Sequence, residues 1–364
     1  MNSSSLKVHF VPDAPNCRHG PCLLFEDPAK QEKFFACSAC RDRQDCQIYI
    51  SYSELTTDRS KKKYQKQYLA FKKQIQQLQT SLKSSPCQLQ PLENKRSDAQ
   101  YFFSKNFINY FTAKFIQIES WDGILCIGCP TIFENLPSTC QKKFLLDYDH
   151  RFCSFYSNEQ MLVYNMFNGH CFSNDEYFQK NFLKTIRTCL VVIDPPFGGF
   201  HRALAHSLEQ LIPSNIQRNL VLFNPYFLEK WIQDAFQGLQ MLDYKIEYET
   251  NSKMNLCKGK KGSPVRMFTD ICPSKCPPLD EDNYKYCFEC NRYTLLANQH
   301  CYECRMCTSK DGGNYRHCSS CQRCVKADRQ HCQQCSSCHL PEQCLKDKKR
   351  LLSDQISMNN KRKK

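Results

Sequence analysis

The segment CLVVIDPPFGGF at residues 189–200 places Asp194, Pro195, Pro196 and Phe197 directly after a short apolar run. The Asp194 carboxylate and the Pro195 carbonyl are two acceptors that can orient the lone pair of an exocyclic purine amine toward an electrophilic methyl group. Proline fixes φ at about −65° and so presets the carbonyl direction. Phe197 can stack on a flipped-out base, worth about 1–3 kcal/mol. These residues predict an N-alkylation site, and the alternative is an Asx-type turn that only ends a strand.

A second stretch, LFNPYFLEK at residues 222–230, contains Asn224, Pro225 and Tyr226, which resemble the related NPPY form of this motif. It lacks a second proline and follows the next strand along the chain. We therefore interpret it as a strand-to-helix turn.

The elements that must position these residues alternate as in an α/β domain. Five β–α steps and then two strands predict a parallel sheet that ends in an antiparallel hairpin. Helices are expected at 198–212 and 226–238. The predicted strands are 123–127, 143–149, 161–165, 189–194, 219–224, 244–249 and 264–269.

Residues that close the first four of these strands should meet in one cleft, because an open α/β sheet binds its ligand beyond the carboxyl ends of its strands. Gly128 lets backbone approach a ligand, Asp147 or Asp149 can accept ribose hydroxyls, and Asn165 can read an adenine. Asp194 completes this cofactor set. The single glycine of CIGCP argues against a dinucleotide fingerprint and leaves S-adenosylmethionine open.

The bulk composition favours a nucleic-acid partner and zinc. The chain has 364 residues, a formal charge of +14 and 27 cysteines. A basic balance favours an acidic partner, although a basic surface kept for solubility is the alternative. The cysteines stand in CxxC pairs among histidines, which is metal-ligand spacing. With no apolar run of membrane-spanning length, we expect an intracellular soluble protein.

The first cysteine-rich segment, CRHGPC followed by FFACSACRDRQDC, resembles a GRF-type zinc finger. The expected ligands are Cys17, His19, Cys37 and Cys46, with Cys40 as a possible substitute. Cys22 is interpreted as a bystander. Zinc would supply stability that so short a segment cannot obtain from a core.

Such fingers commonly bind single-stranded nucleic acid. Here Phe34 and Phe35 could stack on bases, and Arg41 and Arg43 could pair with phosphate. A purely structural finger is the alternative.

The C-terminal segment repeats the unit HCx2Cx2C, preceded by Cys287 and Cys290, and this repetition predicts interleaved zinc sites. DHHC palmitoyltransferases show similar interleaving, but DRQHC stands where that family needs its acid and nucleophile, so lipid transfer is rejected. The predicted ligand sets are Cys287, Cys290, His300 and Cys307; Cys301, Cys304, His317 and Cys324; Cys318, Cys321, His331 and Cys338; and Cys332, Cys335, His339 and Cys344.

Three other segments carry charge or helical periodicity. An apolar stripe from Tyr64 to Leu82 at helical spacing predicts a helix that docks on a neighbouring module. The basic tail is either disordered or a phosphate-binding and nuclear-import segment. Lys258, Lys260 and Lys261 could contact phosphate, although ordinary solvated lysines are the simpler interpretation.

DPPFGG, ILCIGCP, FLLDYDHRFCSFY, YNMFN, MLDYKIEYE and SPVRMFTD together resemble the zinc finger CCHC domain-containing ribosomal RNA N6-adenosine methyltransferase family. The resemblance implies an S-adenosylmethionine-dependent, Rossmann-like enzyme that modifies an adenosine of large-subunit rRNA, in a single-stranded or loop region. It gives Asp194, Pro195, Pro196 and Phe197 the catalytic role. The linker lacks the family's C2H2 finger.

The expected architecture is an α/β, Rossmann-like methyltransferase domain flanked by zinc modules. We expect residence in the nucleus and nucleolus, with the cytoplasm as a second location, and no membrane partner. The alternatives are a zinc-dependent RNA-binding scaffold with an inactive domain, and an N6-adenine methyltransferase of another nucleic acid. The expected domains are 13–50 for the GRF-type finger, 51–99 for a basic helical linker, 100–272 for the methyltransferase, 283–344 for the DHHC-like array and 345–364 for the tail.

Overall fold

The computed structural model describes residues 6–39, 45–55, 61–80, 89, 100–140, 142–249, 263–341 and 343–344. Its internal contacts divide the chain into two compact units, Met1–Cys272 and Pro273–Lys364.

The N-terminal part of the first unit is a small antiparallel sheet. A hairpin whose two strands have two residues each lies beside it in the chain. Four strands pair in the order β1-β4-β5-β6, and β2 pairs with β3. The sheet starts at Lys7 and ends at Ser51, so it extends beyond the predicted finger at both ends. The strands are β1 Lys7–His9, β2 Asn16–Cys17, β3 Gly20–Pro21, β4 Leu23–Asp27, β5 Glu32–Ala36 and β6 Tyr49–Ser51.

The predicted linker helix is present as α1, Lys61–Gln79. Its aromatic stripe packs inside the first unit, as the stripe predicted. The rings of Tyr68 and Phe71 lie 6.1 and 5.1 Å from that of Phe172, and Ile75 is fully buried. Leu82, the last residue of the predicted stripe, lies outside the described residues.

The large sheet of the first unit has eight strands in the order β10-β9-β8-β7-β11-β12-β14-β13. The strands β7, β8, β9, β11 and β12 are mutually parallel, whereas β14 is antiparallel to β12 and to β13. The predicted parallel sheet with a reversed end hairpin is confirmed. The strands are β7 Gly123–Ile127, β8 Lys143–Asp147, β9 Met161–Asn165, β10 His170–Cys171, β11 Thr188–Ile193, β12 Gln217–Pro225, β13 Gln240–Leu242 and β14 Val265–Thr269.

Successive residues of a strand point to opposite faces of the sheet, so apolar side chains project from both faces. Helices cover both faces. On one face Leu204 and Leu208 of α4 and Ile232 of α5 share a core with Leu125 and Val191. On the other face α2 places its phenylalanine rings against β12. The helices are α2 Lys105–Ala113, α3 Pro130–Asn135, α4 His201–Leu211 and α5 Glu229–Ala235.

The strand predicted at 244–249 is wrong. The backbone from 243 to 247 is irregular, and the edge strand is instead β13, Gln240–Leu242. Tyr248 forms an isolated antiparallel bridge with Phe103, because the backbone of the segment ahead of α2 pairs with this stretch. As a result residues 247–249 lie beside 102–104, with Glu249 N–H donating to Phe102 O at 2.7 Å.

The stretch with Asn224, Pro225 and Tyr226 forms a strand-to-helix turn, as predicted. Pro225 ends β12, Tyr226–Leu228 is a 3₁₀ turn, and α5 follows at once.

The described part of the second unit contains four short antiparallel hairpins, which follow a 3₁₀ turn at Pro273–Lys275. Each hairpin carries cysteines at its turn, which is the usual form of a zinc knuckle. The hairpin strands are β15 Tyr284–Cys287, β16 Arg292–Leu295, β17 His300–Cys301, β18 Met306–Cys307, β19 Tyr315–Cys318, β20 Arg323–Lys326, β21 Gln330–Cys332 and β22 Ser337–His339.

Among the helices in the described part of the chain, none combines the length and apolar character needed to cross a membrane.

Candidate active site and metal centres

A cavity of about 440 Å³ lies at the carboxyl edge of the parallel strands. Its volume is within the range of about 300–1,000 Å³ that is usual for small-ligand sites. The structure brings every residue predicted to contact a cofactor or substrate to its wall: Gly128, Asp147, Asp149, Asn165, Asp194, Pro195, Pro196 and Phe197.

Asp194 follows β11 directly, and its backbone N–H donates to Ile127 O at 3.0 Å. The Tyr248 hydroxyl donates to Asp194 Oδ1 at 3.4 Å. Burial raises the pKa of Asp194 well above its ordinary value; donation from Tyr248 lowers it, and repulsion by Asp147 raises it further. A carboxylate held in this way gains most from a ligand with N–H donors or positive charge, because either favours its ionised form.

Gly128 lies where the loops after β7 and β11 approach each other. Its φ is +69°, and a Cβ placed there would lie 2.8 Å from Asp194 O and 2.8 Å from Met166 Cε. Only glycine fits this position without displacing the Asp194 backbone. Gly128 therefore shapes the cavity floor as well as leaving room for a ligand.

The loop after Asp194 presents an aromatic ring to the cavity. Pro195 is buried, Pro196 is exposed and Phe197 is half-buried. Gly199 N–H donates to Pro196 O at 2.8 Å, which closes the turn. The ring of Tyr101 lies parallel to that of Phe197, with 3° between the planes and 6.2 Å between centroids. A flat base can stack on a face of this pair of parallel rings.

The two acidic residues after the second parallel strand differ in their partners. Arg151 Nε donates to both oxygens of Asp149 at 2.9 Å, and Gln100 Nε2 donates to Asp149 Oδ2 at 2.9 Å. Asp147 accepts from the Asp149 N–H at 2.8 Å. Asp147 is therefore the better placed of the two to accept ribose hydroxyls, while Asp149 organises the cavity wall.

Burial and the nearby Asp149 carboxylate raise the pKa of Asp147 to about 7. The side chain is only 6 % exposed. An acid with this pKa changes charge near neutral pH, so ligand binding at Asp147 should depend on pH.

Asn165 lies at the cavity but its amide is used elsewhere. Its Oδ1 accepts the Phe167 N–H at 3.0 Å, and its Nδ2 donates to His19 O at 2.7 Å and to Ser38 Oγ at 3.1 Å. The side chain predicted to read an adenine therefore holds the finger in place.

Sequence reasoning missed several cavity-lining residues. Tyr101 and its neighbours Gln100 and Phe102 come from the segment ahead of α2, and Phe71 and Gln74 come from α1. The finger contributes three more. No motif marks these positions, since only the tertiary pairing of 102–104 with 247–249 brings the first group to the cavity. The finger residues are Arg18, His19 and Ala39.

The finger's predicted ligands meet in space. The donor atoms of Cys17, His19, Cys37 and Cys46 lie within 4.8 Å of one another, and Cys37 Sγ is 3.2 Å from His19 Nδ1. Tetrahedral zinc with Zn–S of about 2.3 Å and Zn–N of about 2.0 Å fits a set of this size and chemistry. Cys22 is buried in the finger core and is outside this set, as interpreted. Cys40 lies outside the described residues.

The proposed nucleic-acid contacts of the finger need correction. Phe35 is fully buried, because β5 points it into the finger core, so its predicted stacking on bases is wrong. Phe34 is half-buried between Phe25 and Tyr49, with ring centroids 5.6 and 4.7 Å away. Both arginines and the three loop lysines that were expected to contact phosphate lie outside the described residues: Arg41, Arg43, Lys258, Lys260 and Lys261.

The structure groups the C-terminal ligands in the four interleaved sets that the repeat predicted. The donor atoms within each set lie within 4.8 Å of one another. Each set has three thiols and one imidazole, a donor combination that suits zinc. The sets are Cys287, Cys290, His300 and Cys307; Cys301, Cys304, His317 and Cys324; Cys318, Cys321, His331 and Cys338; and Cys332, Cys335, His339 and Cys344.

All four knuckles share an unusual backbone conformation after the second cysteine. Asn291, Arg305, Gln322 and Ser336 have φ between 51° and 53°. This left-handed region favours glycine or asparagine. Asn291 suits this conformation, whereas Arg305, Gln322 and Ser336 adopt it at a cost in backbone strain.

The sheet order and the DPPF loop that ends the fourth parallel strand define a Rossmann-like methyltransferase. Residues 93–268 match a family model described as probable N6-adenine methyltransferase. The chain belongs to the rRNA N(6)-adenosine-methyltransferase ZCCHC4 family, which confirms the resemblance seen in the sequence.

Three curated relatives with that name support the membership. The Homo sapiens protein is 32% identical over 370 residues, covering 82% of this chain and 72% of the relative. The Xenopus tropicalis protein is 32% identical, covering 81% and 75% respectively. The Mus musculus protein is 34% identical, covering 79% and 70%.

Proposed function

We propose that this chain uses S-adenosylmethionine to form N6-methyladenosine in large-subunit ribosomal RNA. The observation that carries the proposal is the position of Asp194, Pro195, Pro196 and Phe197 on one cavity with Gly128 and Asp147. The names of the curated relatives, all rRNA N(6)-adenosine-methyltransferases, support the choice of RNA and of the modified atom.

S-adenosylmethionine would supply an electrophilic methyl group on positively charged sulfur. Asp147 would hold the ribose hydroxyls of the cofactor, and Gly128 would let the backbone come close to it. The Asp194 carboxylate also lies in a position where positive charge in the cavity would favour its ionised form.

The DPPF loop would bind and orient the target base. Phe197 stacks on the adenine, and the Asp194 carboxylate and Pro195 carbonyl accept its two N6 hydrogens. These two acceptors would orient the nitrogen lone pair toward the methyl group. Transfer of that methyl group from sulfur to N6 would leave the demethylated thioether cofactor and an amine with one extra proton, which would pass to solvent. No strong base is required for this sequence.

We propose that all five Cys/His sets bind Zn²⁺ and that the substrate adenosine is single-stranded or in a loop. The donor chemistry and the size of each set support zinc. A base inside a duplex could not reach Asp194 without being extruded, which favours an unpaired position.

Cells that lack the gene provide the test of activity. We expect one N6-methyladenosine to disappear from their rRNA and to return on expression of the wild type, but not of Asp194→Ala. Nucleoside mass spectrometry of purified rRNA measures both outcomes. Equal restoration by the two proteins would remove the catalytic assignment, and binding of S-adenosylmethionine without any methylation would favour the scaffold alternative.

We further propose that the protein works in the nucleus and nucleolus. The formal charge of +14 and the basic residues of the tail at 345–364 support this location. Fluorescence microscopy of the full chain and of a chain truncated at 344 tests it. A signal from the full chain that is confined to the cytoplasm would contradict the proposal.

A further inference from the structure

The N-terminal finger contributes part of the wall of the methyltransferase cavity. Arg18, His19 and Ala39 line it together with Tyr148 and Asn165. His19 is also one of the predicted zinc ligands. We propose that the finger forms the adenosine end of the cofactor site, so that zinc in the finger is required for S-adenosylmethionine binding. This inference rests on the cofactor named in the proposed function.

Two asparagines attach the finger to the turn after β9. Asn168 Nδ2 donates to Pro21 O at 2.8 Å and to His19 O at 3.1 Å, while Asn165 Nδ2 donates to His19 O at 2.7 Å. Each Oδ1 accepts a backbone N–H two residues further along, at Phe167 and at His170. The turn therefore orients both amides, and the finger supplies the carbonyls that they need.

The finger backbone at residues 18–20 packs closely against Tyr148 and His170. Gly20 has a φ of +92°, and a Cβ there would lie 2.8 Å from His170 Cδ2. The Tyr148 hydroxyl donates to Arg18 O at 3.3 Å, and the Tyr148 and His19 rings lie 5.3 Å apart. These contacts hold the finger against the residues that follow the second and third parallel strands.

These two strands are the ones that hold the adenosine part of a nucleotide cofactor in an open α/β sheet. Asp147 ends β8 and Asn165 ends β9, and the finger lies against the residues just after each of them. The Asn165 amide is held by the finger, and Ala39 of the finger lines the same cavity as Asp147 and Asn165.

The finger depends on metal for this position. Its core cluster is small and includes three cysteines, Cys17, Cys22 and Cys37, along with residues such as Phe35 and Ile50. A segment with so little apolar area usually folds only with its metal bound. Without zinc the His19 carbonyl would leave its place, and Asn165, only 2 % exposed, would keep a buried amide without its acceptor.

The test is calorimetric titration of S-adenosylmethionine into the full chain, with zinc content measured by mass spectrometry. Cys37→Ser removes a finger ligand, and Cys318→Ser, its matched control, removes an array ligand. We expect cofactor affinity to fall at least tenfold in Cys37→Ser and to stay within twofold in Cys318→Ser. Wild-type affinity in a Cys37→Ser protein that has lost one zinc would overturn the inference.

A second pair of variants decides the matter if Cys37→Ser fails to fold. Ala39→Trp fills the cavity from the finger side and keeps the backbone N–H that donates to Cys37 Sγ at 3.4 Å. Ala29→Trp places the same ring on an exposed part of the finger. We expect weaker cofactor binding in Ala39→Trp alone, with all zinc retained. If Ala39→Trp weakens RNA binding and leaves cofactor binding unchanged, the finger serves RNA only and the inference is wrong. A wild type that binds no S-adenosylmethionine would instead contradict the proposed function.

Discussion

The Tyr248 hydroxyl donates a hydrogen bond to Asp194 Oδ1 at 3.4 Å, although 54 residues separate the two in the chain. Tyr248 is 8 % exposed and its ring lies 4.9 Å from that of Phe103. The Ser104 N–H donates to Glu247 O at 2.9 Å, which fixes the backbone beside it. Tyr248 thus engages one carboxylate oxygen and leaves the other for the substrate amine.

Replacing Tyr248 with phenylalanine should shift the pH dependence of catalysis. The donated hydrogen bond lowers the pKa of Asp194, so its removal raises that pKa. Because the ionised carboxylate accepts the N6 hydrogens, the acid limb of the kcat/KM profile should move to higher pH, with a loss of roughly tenfold at neutral pH, as for one buried hydrogen bond. Methylation of an RNA oligonucleotide across roughly pH 5.5–9, a range wide enough to show a pKa shift of about one unit, measures this.

Tyr156→Phe is the matched control for Tyr248→Phe. Its hydroxyl donates to Glu134 at 2.7 Å on the exposed side of the domain. We expect an unchanged profile there. An unshifted acid limb in Tyr248→Phe would show that Tyr248 only supports the fold.

Cofactor affinity should fall as the pH drops below about 7. The ionised form of Asp147 accepts hydroxyl hydrogens, and its pKa is raised to about 7 by burial and by Asp149. Below that pH the proton competes with the ligand, so Kd should rise by up to about tenfold per pH unit. Titration of S-adenosylmethionine at several pH values measures the slope.

Asp147→Asn should weaken cofactor binding and flatten its pH dependence. The same carboxyl affects unfolding with the opposite sign. Its raised pKa means that the folded state holds the proton more tightly, so the empty wild type should lose stability as pH rises from about 4 to about 7. A cofactor Kd of Asp147→Asn that follows pH as in the wild type would assign the titration to another group.

Tyr101→Ala should weaken RNA binding more than cofactor binding. Its ring lies parallel to that of Phe197, and loss of one stacking face costs about 1–3 kcal/mol per base. We expect KM for RNA to rise at least fivefold, while Kd for S-adenosylmethionine changes less than twofold. Tyr101→Phe keeps the ring and should behave as the wild type. Equal losses in both variants would argue against stacking.

Arg305→Asn should stabilise the C-terminal array. Arg305 is exposed and has a φ of 53°, a region that asparagine adopts more readily. A gain of about 0.5 kcal/mol is expected, seen as slower zinc release to a chelator. Arg323→Asn, at an exposed position of a strand, is the control without such a gain. Faster zinc release from Arg305→Asn would contradict this account of the knuckle turn.

The elements predicted correctly from the sequence are those specified by residues close together in the chain. Strand β7 has the predicted bounds, because an apolar run that ends in glycine specifies both a buried strand and its end. The ligand sets of the array were predicted because each repeated unit has the same internal spacing, HCx2Cx2C. The strand predicted at 244–249 was wrong. Its alternation reflects the burial of Tyr244, Ile246 and Tyr248, whereas its backbone pairing, with Phe103, depends on a segment far away in the chain.

The roles of Asn165, Tyr101 and Tyr248 could not be predicted in the same way. Asn165 contacts His19, 146 residues earlier, and no pattern near either residue indicates the pair. Tyr101 stands in the aromatic run YFF and Tyr248 in the alternating segment YKIEYE, and both patterns suit a core equally well. Only their tertiary position shows that one faces Phe197 and the other Asp194.

The most direct measurement of the central claim uses purified protein, S-adenosylmethionine with a deuterated methyl group and unmodified large-subunit rRNA. Mass spectrometry of the digested RNA should find the label in N6-methyladenosine with the wild type and not with Asp194→Asn. Label in N6-methyladenosine at equal levels with both proteins, or in a different nucleoside with the wild type, would contradict the assignment of Asp194 and its loop to adenosine N6 chemistry.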